Sequence, residues 1–142
     1  MAYLLDTSCA WRRFIVADPQ HSVIEAKIDG LLRQGETLYI TAQNMVEFQA
    51  LATRPVSANG LGLSTQDANQ EAKAIQALFP LLPETADIYI EWRKLMDAYD
   101  VKGRVVFDAR LVAVMLTYGI THLLTMNKAD FQRFTGIVIV EP

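Results

Sequence analysis

Four carboxylates in this chain stand where an isolated charge is hard to keep: Asp6, Glu47, Asp108 and Asp130. Asp6 follows an apolar run and is itself followed by Thr7 and Ser8, three oxygen-bearing side chains in a row. Glu47 lies between Val46 and Phe48, one turn before Leu51. Asp108 shares a helical face with Val112 and Leu116, and Asp130 comes just after Thr125 and Asn127. An unpaired buried charge is very costly, and gathered carboxylates raise one another's pKa unless a cation offsets them. With oxygen ligands and no clustered His or Cys, the cation that suits is hard: one or two Mg²⁺ or Mn²⁺ ions. Such ions bind a phosphodiester, acidify an attacking water and stabilise the leaving oxygen. Thr7, Ser8, Thr125 and Asn127 then serve as neutral groups for waters or phosphate oxygens. Arg12, Arg13, Arg54 and Lys128 fall near the same edge in sequence and are candidates to hold a nucleic-acid backbone. Taken singly, each Asp reads more readily as a helix cap or turn residue; four at matching positions do not.

The elements that position these acids alternate in type. Residues 2–5 and 37–40 read as strands, and 121–125 as a third, reached after a helix that Gly119 stops. In that helix Ala109, Val112, Ala113 and Leu116 form an i, i+3, i+4, i+7 stripe. Residues 9–17 are expected to form a helix ended by Asp18-Pro19. A second covers 22–34, with Val23, Ala26, Ile28, Leu31 and Leu32 on its apolar face. Thr41 caps a helix over 42–53, and 54–64 is the one long loop. Ser64 or Thr65 caps a helix to about residue 79, Pro80 and Pro83 enclose a turn, and 84–99 is helical with Ile88, Trp92, Leu95 and Met96 inward. A short helix over 129–134 precedes 137–140, an apolar run that reads as a strand buried on both faces. Strands alternating with helices imply an α/β fold with a mostly parallel sheet of four or five short strands between helical layers. Ligands bind such sheets beyond the carboxyl ends of the strands, and that is where the four acids fall.

Length and composition set the limits. The chain has 142 residues, a net charge of −3 and 51% hydrophobic residues, which fits one domain over 1–142. The charge argues against a broadly basic nucleic-acid coat protein, though a metal-dependent nuclease needs only a local basic rim. A single cysteine, Cys9, forms no disulfide framework, and no leader-like or spanning apolar segment is present. A cytoplasmic home is expected, without a membrane. His21 and His122 lack partners at ligand spacing. The Asn-Gly-Leu-Gly stretch lacks the ending and the preceding strand of a phosphate-binding loop. Trp11, close to Asp6 in sequence, reads as core or, more weakly, as a base-stacking ring.

The segments YLLDTS, QNMVEF, FDARLVA and LLTMNKADF, in this order and at these distances, resemble the motifs of PIN domains. The likeness is nearest to the VapC-type toxins of bacterial toxin–antitoxin pairs and extends over essentially the whole chain, to the tail GIVIVEP. It implies a Mg²⁺- or Mn²⁺-dependent endoribonuclease with Asp6, Glu47 and Asp108 as core acids, Asp130 as the last acid, and Thr7, Ser8 and Asn127 as polar helpers. It also implies a homodimer and a small antitoxin that sets a basic residue among the acids. The helices over 22–34 and 65–79 are candidates for an apolar antitoxin groove, or simply pack on the sheet. Phe107 stands where many relatives have a polar residue, often His, and Asn127 where some have another carboxylate.

Other functions remain open on sequence grounds. An aspartyl-phosphate phosphatase of the dehalogenase type would use Asp6 as nucleophile, but Ser8 stands at its second acid. A receiver domain needs an acid pair near Asp6, which is missing. A PIN-like module without catalysis would bind RNA or protein, and four intact acids count against that decay.

Overall fold

The apolar run after Met1 becomes the middle of a parallel sheet. In the computed structural model, which describes residues 1–142, β1 (Ala2–Leu5) lies between β2 (Thr37–Thr41) and β4 (His122–Leu124). The edges are β3 (Leu81–Leu82) and β5 (Val138–Val140), giving the order β3-β2-β1-β4-β5. Leu4 pairs with Tyr39 on one side and Leu123 on the other.

Alternation along β1 divides the core into two. Tyr3 and Leu5 pack with Cys9, Ile24, Phe48 and Ile75, under α1 (Thr7–Ala10), α2 (His21–Arg33), α3 (Ala42–Thr53) and α4 (Thr65–Leu78). Leu4 faces the opposite way, onto Ile88, Leu95, Val112 and Phe131, under α5 (Ala86–Ala98), α6 (Val105–Tyr118) and α7 (Lys128–Phe131). The result is the expected three-layer α/β architecture. Each fully buried Leu, Ile or Phe contributes roughly 1.5–3 kcal/mol by removal from water. No helix is long and apolar enough to cross a membrane.

Local signals place the helix ends. Thr41 Oγ1 accepts from the Asn44 amide at 3.0 Å, while Asn44 Oδ1 accepts from the Thr41 amide at 2.8 Å, a reciprocal cap that fixes the start of α3. Ser64 Oγ accepts from the Asp67 amide at 3.0 Å and starts α4. Gly119, at φ 68°, closes α6 in the left-handed conformation.

Several expectations are corrected. The turn between Pro80 and Pro83 contains β3, whose two residues pair with Ile40 and Thr41; two residues are too few to show a period. The helix expected over 9–17 is the four-residue α1 followed by turns. Ile24, not Val23, faces the core from α2, and Ala26 is exposed. Leu116 is 43% exposed because the buried surface of α6 runs unbroken from Leu111 to Met115. β5 is not buried on both faces: it is an edge strand, and Val138 is exposed. The later half of the segment between α3 and α4 folds back onto the end of α3, with the Leu61 amide on the Leu51 carbonyl and the Leu63 amide on that of Ala52. A Cβ on Gly60 would sit 2.0 Å from the Arg54 carbonyl oxygen, so only glycine allows this approach.

Candidate active site

Asp6 is the first residue beyond β1 and only 6% exposed. Its amide donates to the Leu124 carbonyl at 2.9 Å, so β4 holds its backbone. Its Oδ2 accepts from Thr125 Oγ1 at 2.7 Å and Ser8 Oγ at 2.8 Å. Thr125 is wholly buried, and its Oγ1 accepts from the Asn127 amide at 3.0 Å. Burial pushes the Asp6 carboxyl up, the Thr125 and Ser8 bonds pull it back, and the Glu47 charge raises it again. Thr7, Ser8, Thr125 and Asn127 all lie at this strand edge; the first three touch a carboxylate by side chain, while Asn127 contributes its amide.

Glu47 projects from α3, half-buried as the helical pattern implied. Oε2 accepts from Thr7 Oγ1 at 2.6 Å and Oε1 from Gln43 Nε2 at 2.8 Å. Thr7 Oγ1 in turn accepts from Asn44 Nδ2 at 2.9 Å. Gln43 Nε2 also donates to the Phe107 carbonyl at 2.8 Å, tying α3 to the first turn of α6 beside Asp108. Behind it, Arg110 reaches Gln43 Oε1 at 3.3 Å and pairs with Glu84 at 2.7 Å. The start of α6 is held from the other side by Trp92 Nε1, which donates to the Val106 carbonyl at 2.8 Å.

Asp108 is where the acids meet. Its carboxyl is pushed up to about 7, first by burial, then by the charges of Asp6, Asp130 and Glu47, with Arg104 opposing. Four acids from β1, α3, α6 and α7 thus lie in electrostatic reach of one another. Even so, no three His, Cys, Asp or Glu side chains are close enough to form a ready-made cage for an ion. The donor chemistry fits a hard divalent cation: all oxygen, several carboxylates, and a mutual repulsion that a cation would relieve.

A groove of about 600 Å³ opens over Glu47 and Asp108, bounded by Thr7, Arg54, Arg104 and Phe107. A smaller recess of about 320 Å³, lined by Val46, Glu84 and Arg110, shares Glu47 and Phe107 with it.

The basic residues sort differently from their order in sequence. Arg12 pairs with Asp18 at 3.2 Å and donates to the Ser8 carbonyl, while Arg13 pairs with Glu25 and Asp29 on α2. Lys128 lies 3.5 Å from Glu141. Of the four candidates only Arg54 lines the groove, and Arg104 joins it. Trp11 is buried, with the Arg12 guanidinium over its ring, so it offers no face to a base. His21 bridges the Arg12 carbonyl and Glu25, and His122 packs on Tyr3. Cys9 is buried, its thiol pushed up to about 12 chiefly by desolvation. The apolar faces of α2 and α4 are taken up by packing, through Ile24, Ile28 and Leu31 in one and Ala68 and Ile75 in the other. Gln43 and Arg104 escaped the sequence reading although a signal existed. Each stands four residues before an acid, Glu47 and Asp108, the spacing at which helical neighbours meet.

Comparison with known proteins identifies the family. The PIN domain family model matches residues 3–137. No curated protein sequence matches. The chain is similar in structure to VapBC2 from Rickettsia felis bound to a fragment of its promoter DNA, at TM-score 0.76 and 14% identity over 100% of this chain and 99% of that one. It is similar to DNA-bound VapBC from Salmonella typhimurium, at TM-score 0.74 and 14% identity over 99% and 98%. It also resembles Mycobacterium tuberculosis VapC20, described as a toxin that cleaves the sarcin-ricin loop, at TM-score 0.71 and 19% identity over 99% of each chain. With a family model that spans almost the whole chain and a parallel sheet whose carboxyl edge gathers four acids, the protein belongs to the PIN-domain family.

Proposed function

We propose that this chain is a divalent-metal-dependent endoribonuclease and the toxin of a toxin–antitoxin pair. The observation that carries the reading is the electrostatic coupling of Asp108 to Asp6, Asp130 and Glu47 at one edge of the sheet. Acids so placed repel unless a cation lies among them. Asp6, Glu47, Asp108 and Asp130 would hold one or two Mg²⁺ or Mn²⁺ ions. When bound, such an ion supplies positive charge for a phosphodiester and a more acidic water. Thr125 and Ser8 fix one oxygen of Asp6 and leave Oδ1 for a ligand. Thr7 and Gln43 hold both oxygens of Glu47, so that acid is oriented before substrate arrives.

The partners follow from the family and from relatives solved as toxin–antitoxin complexes. They are a small antitoxin that covers the acidic groove, a second copy of this chain, and RNA as substrate, in the cytoplasm. The test is cleavage of RNA by purified chain freed of bound antitoxin, with Mg²⁺, Mn²⁺ or EDTA, beside Asp6→Asn. Cleavage that requires the ion and disappears in the variant supports the reading. A folded wild type that binds the ion yet cuts no RNA sinks it and favours a binding module.

A further inference from the structure

Phe107 is 58% exposed, although it sits next to Asp108 at the mouth of the groove. It lines both recesses, as Glu47 does. The backbone beneath it is not free to move: its carbonyl accepts from Gln43 Nε2 at 2.8 Å and its amide donates to the Arg104 carbonyl at 3.1 Å. Exposing an aromatic ring on a rigid turn has no packing purpose. Two cations stand in the same groove, Arg54 at the end of α3 and Arg104 just before α6. No carboxylate lies within salt-bridge distance of either, whereas Arg12, Arg13, Arg110 and Lys128 all have acidic partners.

We propose that Phe107, Arg54 and Arg104 position the RNA strand at the acids as one subsite: the ring stacks an unpaired base while the two guanidinium groups hold backbone phosphates in the groove that Glu47 and Asp108 line. The inference rests on the nuclease reading and adds to it the residues that would position the strand; a base must be unpaired to turn its face to a side chain. Charge complementarity selects the ligand. Arginines without acidic partners in a groove favour a polyanion, and an exposed aromatic ring in the same groove favours a polyanion that carries rings. Arg104 opposes the charge of Asp108, so it stands near the acids and not on a remote surface.

Binding of a fluorescein-labelled 12-nucleotide single-stranded RNA of mixed sequence, in EDTA so that nothing is cut, separates the contributions. Measured by polarisation at several salt concentrations, Phe107→Ala is expected to weaken binding between about five- and 150-fold without changing the salt slope. Phe107→Tyr restores most of the affinity. Arg54→Ala and Arg104→Ala each flatten the slope by about 0.7. Arg33→Ala, at the opposite edge of the sheet, changes neither. The same RNA annealed to its complement binds no more tightly to wild type than to Phe107→Ala. If wild type binds and cleaves RNA while Phe107→Ala keeps full affinity, or while both arginine variants keep the wild-type slope, the subsite is overturned and the nuclease reading survives. If Phe107→Ala alters only the oligomeric state seen by light scattering, the ring belongs to a protein contact and the subsite is overturned. If wild type neither binds nor cleaves RNA, both readings fall.

Discussion

Replacing Asp108 with asparagine is expected to stabilise the metal-free protein at alkaline pH while abolishing its activity. In the fold this carboxyl is pushed up to about 7, whereas in an unfolded chain it titrates near 3.9. Between those values the native state holds a proton that the unfolded state has released, so stability falls as pH rises through this window and then levels off. Each pKa unit corresponds to about 1.4 kcal/mol, which would give roughly 4 kcal/mol if nothing screened the site. Asp108 is only half-buried, and solvent screening brings the working figure down to about 1 kcal/mol. For a domain of this size that is a melting-temperature difference of about 2–4 °C. Thermal melts of wild type and Asp108→Asn in EDTA, at pH 4 and pH 8, read this directly: near-equal values at pH 4, with the variant higher at pH 8. Added Mn²⁺ then raises the wild type at pH 8 and leaves the variant almost unmoved. A variant no more stable than wild type at pH 8, or one equally more stable at both pH values, would refute the argument that burial, together with the neighbouring acids, disfavours a charged Asp108.

Three further outcomes are expected. Gln43→Ala frees Glu47 Oε1 and the Phe107 carbonyl together, so Mn²⁺ affinity by calorimetry falls by about 10- to 100-fold, the effect typical of groups that orient ligands. Gly60→Ala forces a Cβ against the Arg54 carbonyl and loses about 1–3 kcal/mol in urea denaturation, as overpacking does. Cys9, its thiol pushed up to about 12, stays unmodified by iodoacetamide at pH 8 in the native protein and reacts once the chain is unfolded, as intact mass shows.

Wherever neighbours in sequence decide the outcome, the chain could be read directly. β1, the cap at Thr41, the start of α4 at Ser64 and the stop at Gly119 all depend on a few adjacent residues, and the structure has them where the pattern put them. The placement of the four acids could be read for a related reason: Asp6 follows a strand, and Glu47, Asp108 and Asp130 lie within helices, whose types the pattern revealed. What could not be read depends on distant partners. Arg12 looks available until Asp18 folds back on it, and Gln43 looks like any helix residue until Phe107 arrives from sixty-four positions away. β3 is two residues long and exists because β2 lies beside it. Leu116 fitted the buried stripe, but the core surface of α6 had turned to the run from Leu111 to Met115.

The position of β1 has a consequence for the protein's birth. This strand leaves the ribosome before both of its neighbours, β2 and β4, carrying Asp6, and β4 is translated more than a hundred residues after it. Until then the Asp6 amide has no Leu124 carbonyl to meet, Thr125 cannot grip its carboxylate, and Asp130 does not yet exist. A growing chain therefore carries Asp6 unassembled until β4 and α7 have been made. The acidic centre closes only when β4 and α7 have emerged and packed, so whatever chemistry it performs is withheld from the ribosome until then.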